Sequence, residues 1–313
     1  MDVKKIPMRD GYGEALLELC GKGENIMVLD ADVAKSTRTV WIRDKYPEYF
    51  IDMGIAEQDM VGTAAGLALS GVTPFASTYC VFLSGRAFDQ IRTTVCYNNL
   101  NVKLGGAHAG ISVGPDGATH QSLEDIALMR ALPNMTVIAP CDSEETRKAT
   151  LAIAKKQGPC FVRFGREAVP VVTDKDTPFE IGKARLCREG KDVTVIACGA
   201  MVYEAQLASD ELKEEGISVR VLDMHTIKPL DADAVIAAAK ETGAIVTAEE
   251  HQMAGGLGSA VAECLALSCP APLEMVAVHD SFGESGKPEE LMNKYKLNKD
   301  AIIEQIKAVI ARK

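Results

Sequence analysis

The sequence predicts an α/β protein built from two doubly wound, three-layer domains in series. Three observations predict it. The chain has 313 residues, and at roughly 150 residues per domain that length holds about two cores. Short apolar runs alternate with longer amphipathic segments, the pattern of strand–loop–helix units around a parallel sheet. The alternation lapses at residues 165–182, where Pro170, Pro178, Lys175 and several acids stand in place of helix formers. The boundaries expected are a first domain at 1–170, a linker at 171–182 and a second domain at 183–313.

Each element follows from local pattern. Residues 8–23 read as a helix, with Ala15, Leu16, Leu19 and Cys20 on one side and Gly at the end. The run Ile26–Leu29 is apolar throughout and stops at Asp30, as strands buried on both faces do. The helix after Glu57 carries Gly62, Ala64, Ala65, Gly66 and Ala68. Such small residues suit a tightly packed interface and an ordinary core helix about equally. A strand at Thr73–Ser77, a helix from about Gly85 to Asn98 and a strand at Val102–Leu104 lead into a glycine-rich loop at 105–121. A helix at Glu124–Ala131, a strand at Thr136–Ala139, a helix at Glu144–Lys156 and a strand at Cys160–Phe164 complete the first domain. In the second, strands are expected at Val193–Ala197, Ser218–Leu222, Ala244–Ala248 and Glu274–Val278. Helices are expected at Tyr203–Glu215, Ala232–Lys240, after Gly258 and at Ala301–Ala311.

Composition excludes several classes. Hydrophobic residues are 47% and charged residues 25%, so the chain is neither disordered nor collagen-like. A net charge of -10 argues against nonspecific binding to nucleic acid or anionic membranes. The nine cysteines form no CxxC, which points away from a zinc site or a secreted disulfide framework and toward free thiols in a reducing cytoplasm. No apolar run approaches the ~20 residues of a membrane span, and the amino terminus shows no signal peptide.

The loop GGAHAGISVGPDGATHQ is the most informative stretch. It holds His108, Asp116, Thr119 and His120 among its glycines. In doubly wound folds, ligands bind at the carboxyl ends of strands, where this loop should lie. An active site fits that placement; two solvated histidines on a surface loop are the plainer alternative. Glu57 stands at a helix start, where the dipole favours a carboxylate; at an interface it would instead be desolvated and able to share a proton with a ligand nitrogen. Tyr79 and Phe82 share one face of a helical turn, suited to core packing or to stacking on a flat heterocycle. Arg9, Arg163 and Arg166 lie in or beside polar loops and suit a phosphate or an ordinary ion pair. MAGGLGSA at 253–260 lacks the lysine and spacing of a phosphate loop and reads as a tight strand-to-helix connection.

In order, DMGIAEQDM, TYCVF, HAGISVGPDGATHQSLED, FGREAVP, HTIKPLD and EEHQMAGGLGSA resemble the carboxyl half of transketolase. The resemblance covers essentially the whole chain, as a pyrimidine-binding domain followed by a transketolase C-terminal domain. It implies thiamine diphosphate as cofactor and transfer of a two-carbon ketol unit from a ketose phosphate to an aldose phosphate, in the pentose phosphate pathway or a more specialised one. The family holds the diphosphate and a divalent metal such as Mg with a GDG…N motif in its amino half, and this chain has no GDG. The resemblance therefore implies one subunit of a split enzyme, completed by an N-terminal subunit in an α2β2 assembly.

By the same resemblance, Glu57 matches the glutamate that hydrogen-bonds N1′ of the aminopyrimidine. Tyr79 and Phe82 match aromatics against that ring. A third aromatic often follows three residues later; here Gly85 and then Arg86 stand there, so the pocket differs. His108, Asp116 and His120 match substrate-contacting positions. Asp116 is the one that favours one donor stereochemistry, and His120 is suited to binding hydroxyls or relaying a proton. Arg9, Ser36 and Arg166 match positions that hold the sugar phosphate. The C-terminal domain is expected to serve assembly, without chemistry. The carboxyl half of a 1-deoxyxylulose-5-phosphate synthase, which needs pyruvate, is an alternative, although His108 favours transketolase. So are a 2-oxo acid dehydrogenase β chain and a noncatalytic scaffold of the same fold.

Overall fold

The structure is a computed structural model that describes residues 3–313. The strands are β1 (Lys5–Pro7), β2 (Ile26–Asp30), β3 (Phe50–Asp52), β4 (Thr73–Tyr79), β5 (Lys103–Ala107), β6 (Thr136–Ile138), β7 (Cys160–Phe164), β8 (Ala168–Pro170), β9 (Arg185–Arg188), β10 (Val193–Ala197), β11 (Val219–Asp223), β12 (Thr226–Lys228), β13 (Ile245–Gln252) and β14 (Leu273–Val278). The first sheet has the order β12-β6-β7-β5-β4-β2-β3, and the second β14-β13-β10-β11-β9. Neighbours are parallel except at one edge of each sheet, where β12 and β9 run antiparallel.

The two α/β units expected from sequence are present, with one strand exchanged between them. β12 follows β11 in the chain yet pairs with β6 of the first sheet. The core spans both units accordingly: Leu29, Ala76 and Leu104 share one apolar cluster with Ile196, Leu222 and Leu257. On the opposite face of the first sheet, helices Met8–Gly21 and Ser143–Lys155 cover β2, β4, β5 and β7. Tyr12 is buried there, stacked on Phe164 at 4.8 Å, with its hydroxyl 2.7 Å from Ser77 Oγ. Strands covered on both faces must be apolar throughout, which is why IMVL and its counterparts are legible.

Several elements differ from those the periodicity predicts. The α-helix expected over 85–98 starts three residues earlier, at Phe82, and is largely π-helical. Ala87 N–H donates to Phe82 O at 3.2 Å and Tyr97 N–H to Arg92 O at 3.0 Å, both five residues back. Each such turn holds one extra residue and rotates the side chains that follow it. The short strands β1, β3, β8, β9 and β12 and helices Val40–Lys45 and Pro288–Lys294 carry too few residues for periodicity to show.

The segment expected as a linker is tied down. Val172 N, Thr173 N and Thr173 Oγ1 all donate to the Asp142 carboxylate, at 2.7, 2.7 and 2.8 Å. Asp142 also caps the helix Ser143–Lys155, accepting from Glu145 N at 2.8 Å. One buried carboxylate thus serves four donors, and its loss would strand them. Asp142→Ala is expected to destabilise the chain by about 2–4 kcal/mol, read as a lower urea midpoint; an unchanged midpoint would show that the segment holds without it.

Candidate active site

The site forms where the first sheet ends. β2, β3, β4, β5 and β7 are parallel, so their carboxyl ends open on one edge. From β2 the chain runs to Ser36, from β3 to Glu57, from β4 to Phe82, from β5 to His108 and from β7 to Arg166. Residues far apart in sequence therefore meet, as the topology of a parallel sheet requires.

The loop after β2 is built on Asp30, a residue that sequence pattern alone marks only as a strand end. Its buried carboxyl accepts from Val33 N at 2.7 Å, Thr37 Oγ1 at 2.6 Å and Thr39 Oγ1 at 2.8 Å. Burial pushes its pKa up to about 6 against those hydrogen bonds. The signal that could have found it is an apolar strand ending in Asp with two threonines close behind. This cage presents Ser36, whose hydroxyl lies 3.0 Å from Tyr79 Oη.

His108 is held among cations. Arg9 Nη1 lies 3.4 Å from Ser36 O and 3.3 Å from His108 Nε2. Arginine only donates, so Nε2 accepts and the ring proton sits on Nδ1. Nδ1 and Arg9 Nε are both buried without a partner. The imidazole stacks on Tyr79 at 4.7 Å between centroids. Burial, then the charges of Arg9 and Arg166, push the His108 pKa down to about 3. The ring is thus neutral at physiological pH.

His120 sits edge-on to Phe82 at 5.2 Å and to Tyr79 at 5.6 Å. Its Nδ1 is 2.9 Å from Thr119 Oγ1, leaving Nε2 open. Tyr79 lies between the two histidines. Asp116 instead meets Arg166, whose Nη1 is 3.3 Å from Oδ1 and 3.0 Å from Val113 O.

Glu57 is 2% exposed, and its partner is a residue to which the sequence assigns no role. Arg86 Nη1 reaches both carboxylate oxygens, at 2.8 and 3.0 Å, while its guanidinium lies 4.4 Å from the Phe82 ring centroid. The π-helical turn Phe82–Arg86 places Phe82 and Arg86 side by side. The sequence shows an arginine close to where the family often has an aromatic; the extra turn residue leaves no mark in it.

Arg163 does not join the site. It is buried, with Nε 2.7 Å from Asp125 Oδ2 and Nη2 2.6 Å from Glu250 O. The 253–260 connection is not free to bind a phosphate at its helix start, because Glu249 accepts from Leu257 N and Gly258 N, both at 2.7 Å. Among the described residues, Cys141, Glu145 and Asp223 approach closely enough to share a metal. They lie on other elements, with the Arg185 guanidinium 2.8 Å from Asp223.

Doubly wound sheets with polar clusters at their strand ends define an α/β ligand-binding protein. Comparison with known proteins narrows that class. The model of the transketolase pyrimidine-binding domain matches residues 4–172, and that of the transketolase C-terminal domain residues 182–302. The 6-deoxy-6-sulfo-D-fructose transketolase subunit SqwH of Clostridium sp. is 43% identical, over 98% of this chain and 95% of its own. One subunit of the apulose-4-phosphate transketolase of Phocaeicola vulgatus is 40% identical over 95% of each chain. A solved split-gene transketolase, an inactive β4 tetramer, is 47% identical with a TM-score of 0.92, covering 98% of this chain and 99% of that one. The chain belongs to the transketolase family and carries its pyrimidine-binding and C-terminal domains.

His108 makes a testable contribution to stability. The unfolded chain protonates this histidine below about pH 6.5, whereas the folded chain holds it neutral to about pH 3. Unfolding therefore takes up a proton between those values, and His108 withdraws stability as pH falls through that window. His108→Gln is expected to show a shallower fall in urea midpoint than the wild type from pH 7 to pH 5. Parallel slopes would mean that the folded imidazole titrates normally.

Proposed function

We propose that this chain supplies the aminopyrimidine-binding and substrate-binding half of a thiamine-diphosphate site. The heteromer it forms with an N-terminal transketolase subunit moves a two-carbon ketol unit from a ketose phosphate to an aldose phosphate. One observation carries this reading. Contacts run unbroken from Glu57 and Arg86 through Phe82, His120, Tyr79 and His108 to Arg9 and Ser36. They join a carboxylate beside aromatic rings to a cationic end, as a flat heterocycle next to an anionic sugar requires.

The residues present fit the cofactor. Glu57 would hydrogen-bond the ring nitrogen N1′ of the aminopyrimidine and share a proton with it, and Phe82 and Tyr79 would flank the ring. Each Glu57 oxygen has two acceptor sites, so Arg86 can remain in place while one is shared. Bound thiamine diphosphate supplies the carbon centre that takes up the two-carbon unit. Its diphosphate and a divalent metal such as Mg fall to the partner subunit.

The chain's own residues divide the remaining work. Neutral His108 lines the substrate end of the site, stacked on Tyr79 and beside Arg9. His120, anchored through Nδ1, binds a hydroxyl or relays a proton at Nε2. Asp116 accepts from a donor hydroxyl and so favours one stereochemistry. Arg9, Arg166 and Ser36 hold the terminal anion. A sulfonated sugar and a sugar phosphate name two of the relatives, and both carry such an anion. Nine free thiols suit a cytoplasmic enzyme; among the described residues, no helix is long and apolar enough to cross a membrane.

The exposed face of the small-residue helix Glu57–Leu69 supports the two-chain reading. Met60, Val61, Ala64 and Ala65 face the core. A Cβ added at Gly62 or Gly66 would meet nothing within 4 Å, and Ile55 and Leu69, at the helix ends, are each 75% exposed. A partner chain can approach closely there, completing the site between subunits in an α2β2 assembly. The inactive β4 form of the relative is what a half-site without its partner would give.

With the reconstituted heteromer, xylulose 5-phosphate is the expected donor and pyruvate is not; the reverse preference would favour the synthase reading. Glu57→Ala is expected to lower kcat by about 100-fold or more without dissociating the subunits, and near-normal turnover would remove Glu57 from the mechanism. Arg86→Ala should weaken thiamine diphosphate binding about tenfold, since a charge-assisted hydrogen bond that orients Glu57 is lost. Unchanged affinity in a binding titration would leave Arg86 without that role.

A further inference from the structure

We propose that Glu250, in the C-terminal domain, is a positioning residue for the sugar-phosphate end of the site. The proposal rests on the functional reading above and gives the C-terminal domain a task besides assembly. Glu250 lies near the end of β13 and is buried. Its Oε1 accepts from Ser112 N at 2.5 Å, in the middle of the glycine-rich loop. The next residue of that loop, Val113, gives its carbonyl to Arg166 Nη1 at 3.0 Å, and the same Nη1 reaches Asp116 at 3.3 Å. A short relay thus joins one carboxylate of the second domain to the arginine and aspartate assigned to the substrate.

Both sides of the Glu250–Ser112 contact are held in place. The Glu250 carbonyl accepts from the buried Arg163, whose Nε is paired with Asp125 just beyond the loop. On the loop side, Gly110 has φ 89°, and a Cβ there would collide with Glu250 Oε1. The glycine therefore meets two requirements, a left-handed backbone and room for this carboxylate. A second contact closes the loop from the same side. Gln121 Nε2 donates to Glu284 O at 2.9 Å, and a Cβ at Gly117 would lie 2.5 Å from Ser285 Oγ. The loop that bears His108, Asp116 and His120 is thus shaped against the C-terminal domain.

A residue acting in this way affects substrate placement more than cofactor capture, because Glu57, Phe82 and Tyr79 are reached by other elements. Glutamine keeps the Oε1 acceptor and the length of the side chain. Burial also raises the Glu250 pKa, which makes the neutral amide a close replacement.

The test uses the heteromer with thiamine diphosphate, comparing Glu250→Ala and Glu250→Gln. Glu250→Ala is expected to raise KM for a ketose phosphate about tenfold, with kcat changed less and cofactor affinity unchanged. Glu250→Gln is expected to restore KM. Amide hydrogen exchange should quicken at residues 110–117 in Glu250→Ala but stay unchanged at 57–69. Unchanged KM, equal damage from both variants, or quickened exchange across the whole chain would overturn the proposal. If the wild-type heteromer transfers no ketol unit, the functional reading fails. The exchange pattern then still decides whether Glu250 holds the loop: quickening confined to 110–117 supports the clamp, and no quickening there refutes it.

Discussion

The buried guanidinium of Arg163 is the constraint on which the rest depends. A cation removed from water must be paired and hydrogen-bonded. Arg163 meets that demand with the Asp125 carboxylate at 2.7 Å, the Glu250 carbonyl at 2.6 Å and the Ser122 carbonyl at 3.4 Å. These partners belong to the helix after the loop, the second domain and the loop's own end. Satisfying one charge in β7 therefore fixes how the two domains meet and where the glycine-rich loop ends. The mutual attraction raises the Arg163 pKa despite burial, so the charge persists at any pH the protein meets.

Much of the fold was legible because burial on both faces leaves a simple mark. Val28, Leu29, Phe75, Ala76 and Leu104 lie in strands covered on both faces, and such strands read as apolar runs between turn residues. The candidate residues were legible for a different reason. Glu57, Tyr79, Phe82, His108 and His120 are chemically specific residues next to glycines or strand ends, and the family resemblance ordered them. The sequence could not show what one residue does to another across the fold. Arg86 reaches Glu57 only because the turn that carries it is π-helical, and no side-chain periodicity signals one extra residue. For Arg163 the sequence left a phosphate contact and an ordinary ion pair open; the buried pairing with Asp125 and the Glu250 carbonyl becomes visible only once those residues are placed around it. The short strand β12, three residues long, crosses to the other sheet for reasons of packing, without a local signal.

The arrangement also suggests how relatives with different sugars share one scaffold. The end near Glu57 is built from helix Glu57–Leu69 and the turn after β4, both packed into the continuous core. The other end depends on Arg166, Asp116 and the loop that the C-terminal domain supports. Change at the second end need not disturb the first. On the proposed reading, the cofactor end and the anion-holding end of the half-site can vary independently.

The half-site is the central claim, and reconstitution tests it most directly. The purified chain would be mixed with an N-terminal transketolase subunit, thiamine diphosphate and Mg, and followed by analytical ultracentrifugation alongside ketol transfer from xylulose 5-phosphate. Activity should appear only when both chains are present, in step with a species containing two copies of each. Transfer by this chain alone, or a stoichiometric complex without transfer to any aldose phosphate, would contradict it.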